Sequence, residues 1–248
     1  MSERSVSERS MSERSMSERS TSKSAIITGA SSGIGLVTAQ RLAQDGYQVE
    51  GLARDFSSTD TALFTPHEID LANLESLPND LDVFSEPPEL LILNAGYGRF
   101  GGIEQFSHQQ IRHLIDTNLV SNLFLIKHFL PKMKTQGGGD IVLIGSESAL
   151  QGARAGAVYC ASKFALRGLA QSLRADCSNS DIRVILINPG PVETDFFDDL
   201  NFAPQQGVEF AIDAQSVARA ITDSIAQPRH VVCEEINLQP MKRSFRKT

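Results

Sequence analysis

Tyr159, Lys163 and Ser146 have the types and the spacing of a proton-transfer site. Tyr159 and Lys163 are four residues apart, so on a helix they share one face. A phenol ionises at about pH 10, and a neighbouring lysine cation favours the phenolate. We therefore predict a tuned acid–base pair that acts on a carbonyl or alcohol oxygen, which the Ser146 hydroxyl can hold. An ordinary helix surface and strand end are the structural alternative.

A glycine loop far upstream of these residues has the composition of a phosphate-binding turn. Residues 28–35 read Thr-Gly-Ala-Ser-Ser-Gly-Ile-Gly and lie between a short apolar run and a predicted helix. Free amides and the dipole at a helix N-terminus attract anions. Gly29 permits a tight turn, Gly33 lets the backbone approach a phosphate, and Gly35 allows close helix packing. The loop predicts a pyrophosphate site, with a simple turn as the alternative. The residues expected to contact the ligand are Gly29, Ser31, Ser32, Gly33, Ile34 and Gly35.

The elements that must position these groups follow an alternating pattern. From Lys23 onward, short β-branched or aliphatic runs alternate with longer segments of helical period, which is typical of βαβ units. The predicted strands are Ala25–Thr28, Gln48–Ala53, Leu90–Asn94, Ile141–Ser146, Arg183–Asn188 and Val231–Ile236, with a weaker one near His67–Ile69. The predicted helices are Gly33–Gln44, Ser107–Met133, Ala157–Cys177 and Ala214–Ala226. The fold class is α/β, and we expect residues 23–248 to form one Rossmann-type domain around a doubly wound parallel sheet of about seven strands.

Two segments are predicted to be irregular. Between Arg54 and Asp70 the chain is short and rich in turn-forming residues, which leaves room for an abbreviated helix or a loop. Residues 191–212 mix acidic residues with four phenylalanines and have no clean period. We expect this segment to be a partly mobile loop that covers the substrate.

The composition argues against several function classes. The 248 residues carry a formal charge of -7, which disfavours a nucleic-acid or anionic-membrane partner. The three cysteines are irregularly spaced and the histidines lack ligand-like spacing, so we expect no metal. No apolar run reaches the ~20 residues of a membrane span, and the start has no secretory signal, so we expect a cytoplasmic protein. Residues 1–20 are four copies of (Met/Val)-Ser-Glu-Arg-Ser, so 1–22 is predicted to be a disordered tail, with a short interaction arm as the alternative.

Together, the motifs resemble those of the short-chain dehydrogenase/reductase family. The resemblance spans nearly everything after the tail and rests on the glycine loop, Asn94-Ala95-Gly96, Ser146, Tyr159-x-x-x-Lys163 and Asn188-Pro189-Gly190. It implies hydride transfer between a nicotinamide cofactor and a small carbonyl or alcohol substrate, by a homodimer or homotetramer. The catalytic residues that it implies are Asn118, Ser146, Tyr159 and Lys163. The cofactor-binding residues that it implies beyond the glycine loop are Asp70, Leu71, Asn94, Ala95, Gly96, Tyr159, Lys163, Pro189, Gly190, Val192 and Thr194.

The end of the second predicted strand bears on the choice of cofactor. A carboxylate there binds the ribose hydroxyls of NAD, whereas a cation binds the 2′-phosphate of NADP. This sequence has Ala53 at the acid position and Arg54 next to it, and a guanidinium can donate two parallel hydrogen bonds to a phosphate. We therefore predict NADP(H); an inward Asp55 or a solvent-directed Arg54 would favour NAD. Asp70 is expected to border the adenine or, alternatively, to cap a helix N-terminus.

The substrate and one alternative function stay open at this stage. Glu147, Arg154 and Arg99 could select the substrate if they faced the site, but we expect Glu147 and Arg154 to lie at the surface. A 3-oxo acid is one candidate, because the end of the chain resembles 3-hydroxy acid and serine dehydrogenases. The alternative function is a catalytically silent NADP(H)-binding sensor, whose expected mark is a broken Tyr/Lys pair. A sugar-nucleotide epimerase would need a longer substrate domain.

Overall fold

Seven parallel strands form the centre of the molecule. The computed structural model describes residues 23–248, so the predicted tail at 1–22 lies outside the described residues. The strands of the sheet are β1 (Ser24–Thr28), β2 (Gln48–Ala53), β3 (Thr65–Glu68), β4 (Leu90–Leu93), β5 (Gly139–Ile144), β6 (Ile182–Pro189) and β8 (Glu235–Leu238). Their order in the sheet is β3-β2-β1-β4-β5-β6-β8. Outside it, β7 (Phe202–Pro204) pairs antiparallel with β9 (Phe245–Lys247).

Helices cover both faces of the sheet. They are α1 (Gly33–Gln44), α2 (Leu77–Asp80), α3 (His108–Ile115), α4 (Ser121–Gln136), α5 (Ala157–Asp176) and α6 (Ala214–Ile225). Leu42 of α1 and Ile221 of α6 belong to the core on one face, and Phe129 of α4 and Leu166 of α5 belong to the core on the other. This confirms the predicted doubly wound α/β fold. None of the described helices is long and apolar enough to cross a membrane.

The central strands end where the sequence turns polar. All residues of β4, β5 and β6 are buried, as expected for parallel strands with helices on both faces. The predicted strands at 90–94 and 141–146 were extended one to two residues too far, because Asn94 and Ser146 lie just beyond the ladder. Both side chains are therefore placed at the carboxyl edge of the sheet, where ligands bind in open α/β folds.

The predicted helix over 107–133 is wrong as a single element. It consists of α3, a π-helical turn at Asp116–Val120, and α4. The turn is centred on Asn118, whose side chain is fully buried and bonded to the backbone of Tyr97. The Asn122 amide also donates to the Asn118 carbonyl oxygen across 2.8 Å. These side-chain bonds accompany the extra residue in the turn, and π-helical turns are frequent at functional sites.

The predicted last strand at 231–236 begins too early. Its β-branched residues Val231 and Val232 are partly exposed, at 36% and 37%, and lie before β8. The Val231 carbonyl oxygen accepts a hydrogen bond from the buried Arg183 guanidinium across 3.2 Å. Its partner is therefore a side chain and not the backbone of a neighbouring strand. Only Glu235–Leu238 pair with the end of β6.

The two segments predicted to be irregular contain little regular structure. Residues 54–64 form turns and no helix, and β3 follows them. Residues 191–212 contain one 3₁₀ turn at Asp195–Phe197 and the short strand β7. The pairing of β7 with β9, which ties this loop to the end of the chain, was not predicted.

Candidate active site

Tyr159 and Lys163 lie on the buried face of α5, toward the carboxyl edge of the sheet. Their relative exposures are only 6% and 5%. The Lys163 Nζ donates a hydrogen bond to the Ile144 carbonyl oxygen at the end of β5, across 3.0 Å, and lies 5.9 Å from the centroid of the Tyr159 ring. Ser146 follows β5 by two residues, and its side chain interacts with the Tyr159 phenol. The three predicted residues therefore meet in one place.

Burial controls the protonation of this pair. It raises the pKa of Tyr159 to about 12, an increase that the interaction with Ser146 reduces in part. Burial also lowers the pKa of Lys163 to about 8. For the protein by itself the pKa of Tyr159 is therefore raised overall, because desolvation is the larger effect; that Lys163 favours the phenolate stays a prediction. The phenol keeps its proton at neutral pH, which suits a proton donor.

Asn118 joins the site through the π-helical turn. Its Nδ2 donates to the Tyr97 carbonyl oxygen across 3.0 Å and to Ser162 Oγ across 3.3 Å, and its Oδ1 accepts from the Tyr97 amide across 3.0 Å. A Cβ atom at Gly96 would lie 3.1 Å from Asn118 Oδ1 and 3.7 Å from Lys163 Nζ. The two polar groups thus border one space that stays open because residue 96 is glycine.

The glycine loop has the geometry that an anion needs. Gly29 and Gly33 have φ of 68° and 53°, a region that favours glycine. A Cβ atom at Gly35 would overlap the Gly29 carbonyl oxygen. The first turn of α1 has no acidic residue, and Ser32 makes no side-chain cap, so the amides there are left for a ligand. Ser31 and Ile34 lie in the same segment, as predicted. The loop therefore fits a nucleotide diphosphate.

Thr28 and Asn94 hold this loop against the next strand. The Thr28 hydroxyl accepts from the amides of Asn94 and Ala95 across 2.9 Å and 3.0 Å. The Asn94 Nδ2 donates to the carbonyl oxygens of Thr28 and Gly29 across 3.0 Å and 3.3 Å. Asn94 therefore supports the pocket through backbone contacts. The role of the Thr28 hydroxyl was not predicted, although threonine at the end of β1 was the available signal.

The segment after β6 is folded onto the glycine loop. The Gly190 amide donates to the Leu238 carbonyl oxygen across 2.8 Å, and Val192, which follows Pro191, is buried. These contacts hold the segment that joins Pro189 to Thr194 against the sheet. A Cβ atom at Gly33 would lie 3.1 Å from Thr194 Cγ2, so the predicted Thr194 is next to the predicted phosphate loop.

Arg54 and Asp55, at the outer end of the predicted nucleotide site, have different surroundings. Arg54 is exposed and its charge acts on the Tyr97 phenol, whose pKa it lowers against the larger, opposing effect of burial. Asp55 accepts hydrogen bonds from the Ser57 amide and hydroxyl, across 2.7 Å and 3.0 Å, and they lower the pKa of Asp55. The inward Asp55 that would favour NAD is therefore not observed, whereas Arg54 is exposed, which is the other feature that would favour NAD.

The helix-cap alternative for Asp70 is wrong. Its Oδ1 accepts from the Ala72 amide across 3.0 Å in a local turn, and the next helix begins only at Leu77. Leu71 is buried in the core, so its side chain does not face a ligand and only its backbone is available to one.

An aromatic wall stands beside the tyrosine. Phe100 and Phe196 have ring centroids 5.2 Å and 6.0 Å from that of Tyr159. Phe202 of β7 lies 5.0 Å from Phe100, and Phe245 of β9 lies 5.7 Å from Phe202. The predicted loop thus contributes Phe196 and Phe202, whereas no sequence signal pointed to Phe100 or Phe245.

The surface position predicted for Glu147 is wrong. Its side chain is 16% exposed, and Oε1 accepts a hydrogen bond from Arg243 Nη2 across 2.8 Å. Arg154 is exposed, as predicted, and Arg99 is exposed over the Phe106 ring. Of the three charged candidates, only Glu147 is turned inward. Among the described residues, no group of three or more histidine, cysteine, aspartate or glutamate side chains could hold a metal ion.

Comparison with known proteins identifies the family. The family described as short chain dehydrogenase matches residues 23–204. The chain belongs to this family. Human retinol dehydrogenase 8 is 36% identical to this short-chain dehydrogenase over 187 residues, covering 70% of the chain and 60% of the relative. The chain thus spans about 60% of the length of that relative.

Solved structures support the same fold over the full described region. An alcohol dehydrogenase from the archaeon Thermococcus sibiricus, complexed with 5-hydroxy-NADP, is 27% identical with a TM-score of 0.79, covering 90% of this chain and 98% of that one. A 4-hydroxyisoleucine dehydrogenase complexed with NADH is 26% identical with a TM-score of 0.77, covering 88% and 97%. One of these neighbours was solved with an NADP derivative and the other with NADH, so they leave the choice of cofactor to this chain's own residues.

Proposed function

We propose that this short-chain dehydrogenase interconverts a ketone or aldehyde with an alcohol, using NADP(H) and Tyr159 as proton donor and acceptor. The observation that carries the proposal is the cluster of buried Tyr159 and Lys163 with the half-buried Ser146, beside a glycine loop with free helix amides. Neither the residue cluster nor the glycine loop alone would support carbonyl reduction. Together they support carbonyl reduction, which requires a proton donor near a nucleotide site.

Each residue of the cluster has a separate task. Ser146 holds the substrate oxygen, and Tyr159 gives its phenol proton to that oxygen while the C=O bond becomes H–C–OH. The nicotinamide, when bound, supplies the hydride. The Lys163 ammonium then stabilises the phenolate that is left, and Asn118 borders the same space beside Gly96 through which a proton returns. Alcohol oxidation reverses these steps.

The residues present fit NADP(H). The loop amides from Ser31 to Gly35 would hold the diphosphate, Lys163 the ribose hydroxyls, and Thr194 the carboxamide. Arg54 would bind the 2′-phosphate, because it directly follows β2, its charge acts on the Tyr97 phenol, and Asp55 is occupied by Ser57.

Cofactor binding tests the preference. We expect Arg54→Ala to weaken NADPH by about 10- to 100-fold, the loss of charge-assisted bonds, and to change NADH by less than about threefold. Arg99→Ala, which removes an exposed guanidinium stacked on Phe106, is the matched control. Equal losses for both nucleotides, or tighter binding of NADH by the wild type, would refute the assignment of Arg54.

Turnover tests the function itself. Purified protein with saturating NADPH is given a panel of ketones, aldehydes and 3-oxo acids, and the fall in nicotinamide absorbance is followed. The proposal expects at least one class to be reduced. Tight NADPH binding without turnover across the panel would contradict it and favour a sensor.

Assembly into a homo-oligomer belongs to the same proposal. Leu123 of α4 and Phe164 of α5 are large apolar side chains that stay exposed on the two longest helices. We infer that these helices pair between subunits. Light scattering after size exclusion should give a dimer or tetramer, and a monomer at micromolar concentration would contradict this inference.

A further inference from the structure

The carboxylate of Glu147 is only half satisfied. Its Oε1 is paired with Arg243, but Oε2 is buried and has no hydrogen-bond partner among the residues that the structure describes. A buried carboxylate oxygen without a donor is costly, and such an atom in a folded protein calls for an explanation. A donor from outside the chain would remove this cost.

Glu147 also lines a cavity. The cavity is partly open, has a volume of about 260 Å³ and lies between the start of the loop after β5 and the end of the chain. Its walls include Glu147, Gln151, Gln239 and Arg243 as polar residues and Leu150 and Ala153 as apolar ones. This volume is enough for a small organic group, and both segments contribute polar residues to the lining.

The lining of the cavity begins with Glu147 and Ser148, the two residues that follow Ser146 in the chain. Glu147 directly follows Ser146, and consecutive Cα atoms are about 3.8 Å apart. The Ser146 hydroxyl accepts from the Ser148 amide across 3.1 Å, which fixes the turn that directs Glu147 inward. The charge of Glu147 acts on the Tyr159 phenol, where it adds to the rise in pKa. A substrate whose carbonyl lies at Ser146 and whose chain enters this cavity would therefore meet Glu147.

We propose that Glu147 and Arg243 form a polar subsite that recognises a hydrogen-bond-donating group, an ammonium or a hydroxyl, close to the substrate carbonyl. The donor bonds to the carboxylate of Glu147, and Arg243 balances the charge. Arg243 is 60% exposed, so it can shift when the subsite is filled. This inference rests on the proposed carbonyl reduction, which supplies the position of the carbonyl.

Three ketones of nearly equal size separate the possible donors. Aminoacetone, hydroxyacetone and 2-butanone differ only in an ammonium, a hydroxyl or a methyl group beside the same carbonyl. The readout is the ratio of kcat/KM for each polar ketone to kcat/KM for 2-butanone. Because polar substituents alter the intrinsic reactivity of the carbonyl, the diagnostic quantity is the change in this ratio between wild type and variant.

Substitution of Glu147 is expected to remove the preference. Glu147→Leu should lower both ratios, the aminoacetone ratio by about 10- to 100-fold, which is the loss of a charge-assisted hydrogen bond. Glu147→Gln keeps the size and one acceptor oxygen, so it should lower the aminoacetone ratio and keep the hydroxyacetone ratio within about threefold. Glu75→Gln, at an exposed carboxylate, is the control. Ratios that stay within about twofold in both Glu147 variants would overturn the proposal.

Substitution of Arg243 should act in the opposite direction. Arg243→Ala leaves Glu147 with an unbalanced charge, so the aminoacetone ratio should rise rather than fall, while the hydroxyacetone ratio changes little. If Arg243 only holds the end of the chain in place, the aminoacetone and hydroxyacetone ratios should both fall or stay as in the wild type. This result would count against the subsite.

A binding measurement distinguishes failure of the subsite from failure of the proposed function. Binding of 1-amino-2-propanol and of 2-butanol is followed by ligand-observed NMR in the presence of NADP+. Stronger binding of the amino alcohol that Glu147→Leu abolishes supports the subsite even without turnover. Equal binding of the two alcohols, with turnover of all three ketones, would refute the subsite and leave carbonyl reduction intact.

Discussion

Replacing Lys163 by methionine is expected to stabilise the folded protein at neutral pH, although it removes a residue of the proposed active site. The lysine is 5% exposed, and the hydrogen bond that its ammonium makes within the described chain is to the Ile144 carbonyl oxygen, 3.0 Å away. Burial lowers its pKa from 10.5 to about 8. Methionine has a similar length, carries no charge and adapts to irregular apolar space.

The magnitude follows from the pKa of the buried lysine. At about 1.4 kcal/mol per pKa unit, the change from 10.5 to about 8 corresponds to about 3 kcal/mol. The buried ammonium destabilises the folded protein by this amount at neutral pH, where it is charged. Loss of the bond to Ile144 costs about 1 kcal/mol in the variant. The free energy of unfolding of Lys163→Met should therefore exceed that of the wild type by about 2 kcal/mol at pH 7.

The pH dependence provides a sharper test than the stability at one pH. Between about pH 8 and pH 10.5 the unfolded chain keeps Lys163 protonated while the folded chain releases the proton. The unfolded state binds more protons, so wild-type stability gains from Lys163 as the pH rises, and this gain is lost again as the pH falls through about 8. The variant has no such group. Its advantage should shrink by about 3 kcal/mol across this window and reverse sign.

Urea unfolding followed by circular dichroism measures this difference. Wild type and variant are compared from pH 7 to pH 10 without nucleotide and at one protein concentration, because the stability of an oligomer depends on concentration. Lys127→Met, at an exposed lysine of α4, is the control and should show no pH-dependent difference. A difference between Lys163→Met and wild type that stays constant within about 0.5 kcal/mol over this range would refute the reasoning.

Two further predictions concern the scaffold. Asp140→Ala should lower the free energy of unfolding by about 3–5 kcal/mol, because Arg183 is 4% exposed and would lose its buried partner. Glu234→Ala, which breaks an exposed ion pair, is the control and should change the free energy of unfolding by about 1 kcal/mol or less. Urea unfolding measures both, and equal losses in the two variants would contradict this prediction. Gly35→Ala should destabilise the protein and abolish NADPH binding because its Cβ overlaps backbone; an unchanged NADPH affinity in this variant would contradict the assignment.

The parts of the site that depend on local spacing could be predicted from the sequence. Tyr159 and Lys163 share a helix face because they are four residues apart, and the glycine loop follows from its position between β1 and α1. The strand run Leu-Leu-Ile-Leu at 90–93 is apolar throughout because both faces of β4 are covered. In each case the determining residues are neighbours in sequence.

The parts that depend on distant partners could not be predicted. Arg243, far along the chain, donates a hydrogen bond to the Glu147 carboxylate, and no spacing encodes that contact. The π-helical turn at Asn118 is accompanied by hydrogen bonds between the Asn118 side chain and the backbone of Tyr97, a contact that no local spacing encodes. Val231 is β-branched like many strand residues, but its carbonyl oxygen accepts a hydrogen bond from the Arg183 side chain.

The central claim is that Tyr159 transfers the proton, and Tyr159→Phe tests it most directly. The variant keeps the ring and loses the hydroxyl, so kcat/KM for the best carbonyl substrate should fall by about 10²- to 10⁴-fold, the usual contribution of a general acid. NADPH affinity and oligomeric state should stay as in the wild type. Tyr47→Phe, at a tyrosine near Lys23 and outside the site, should keep its turnover. Turnover that survives in Tyr159→Phe, or loss of NADPH binding in a folded variant, would contradict the account.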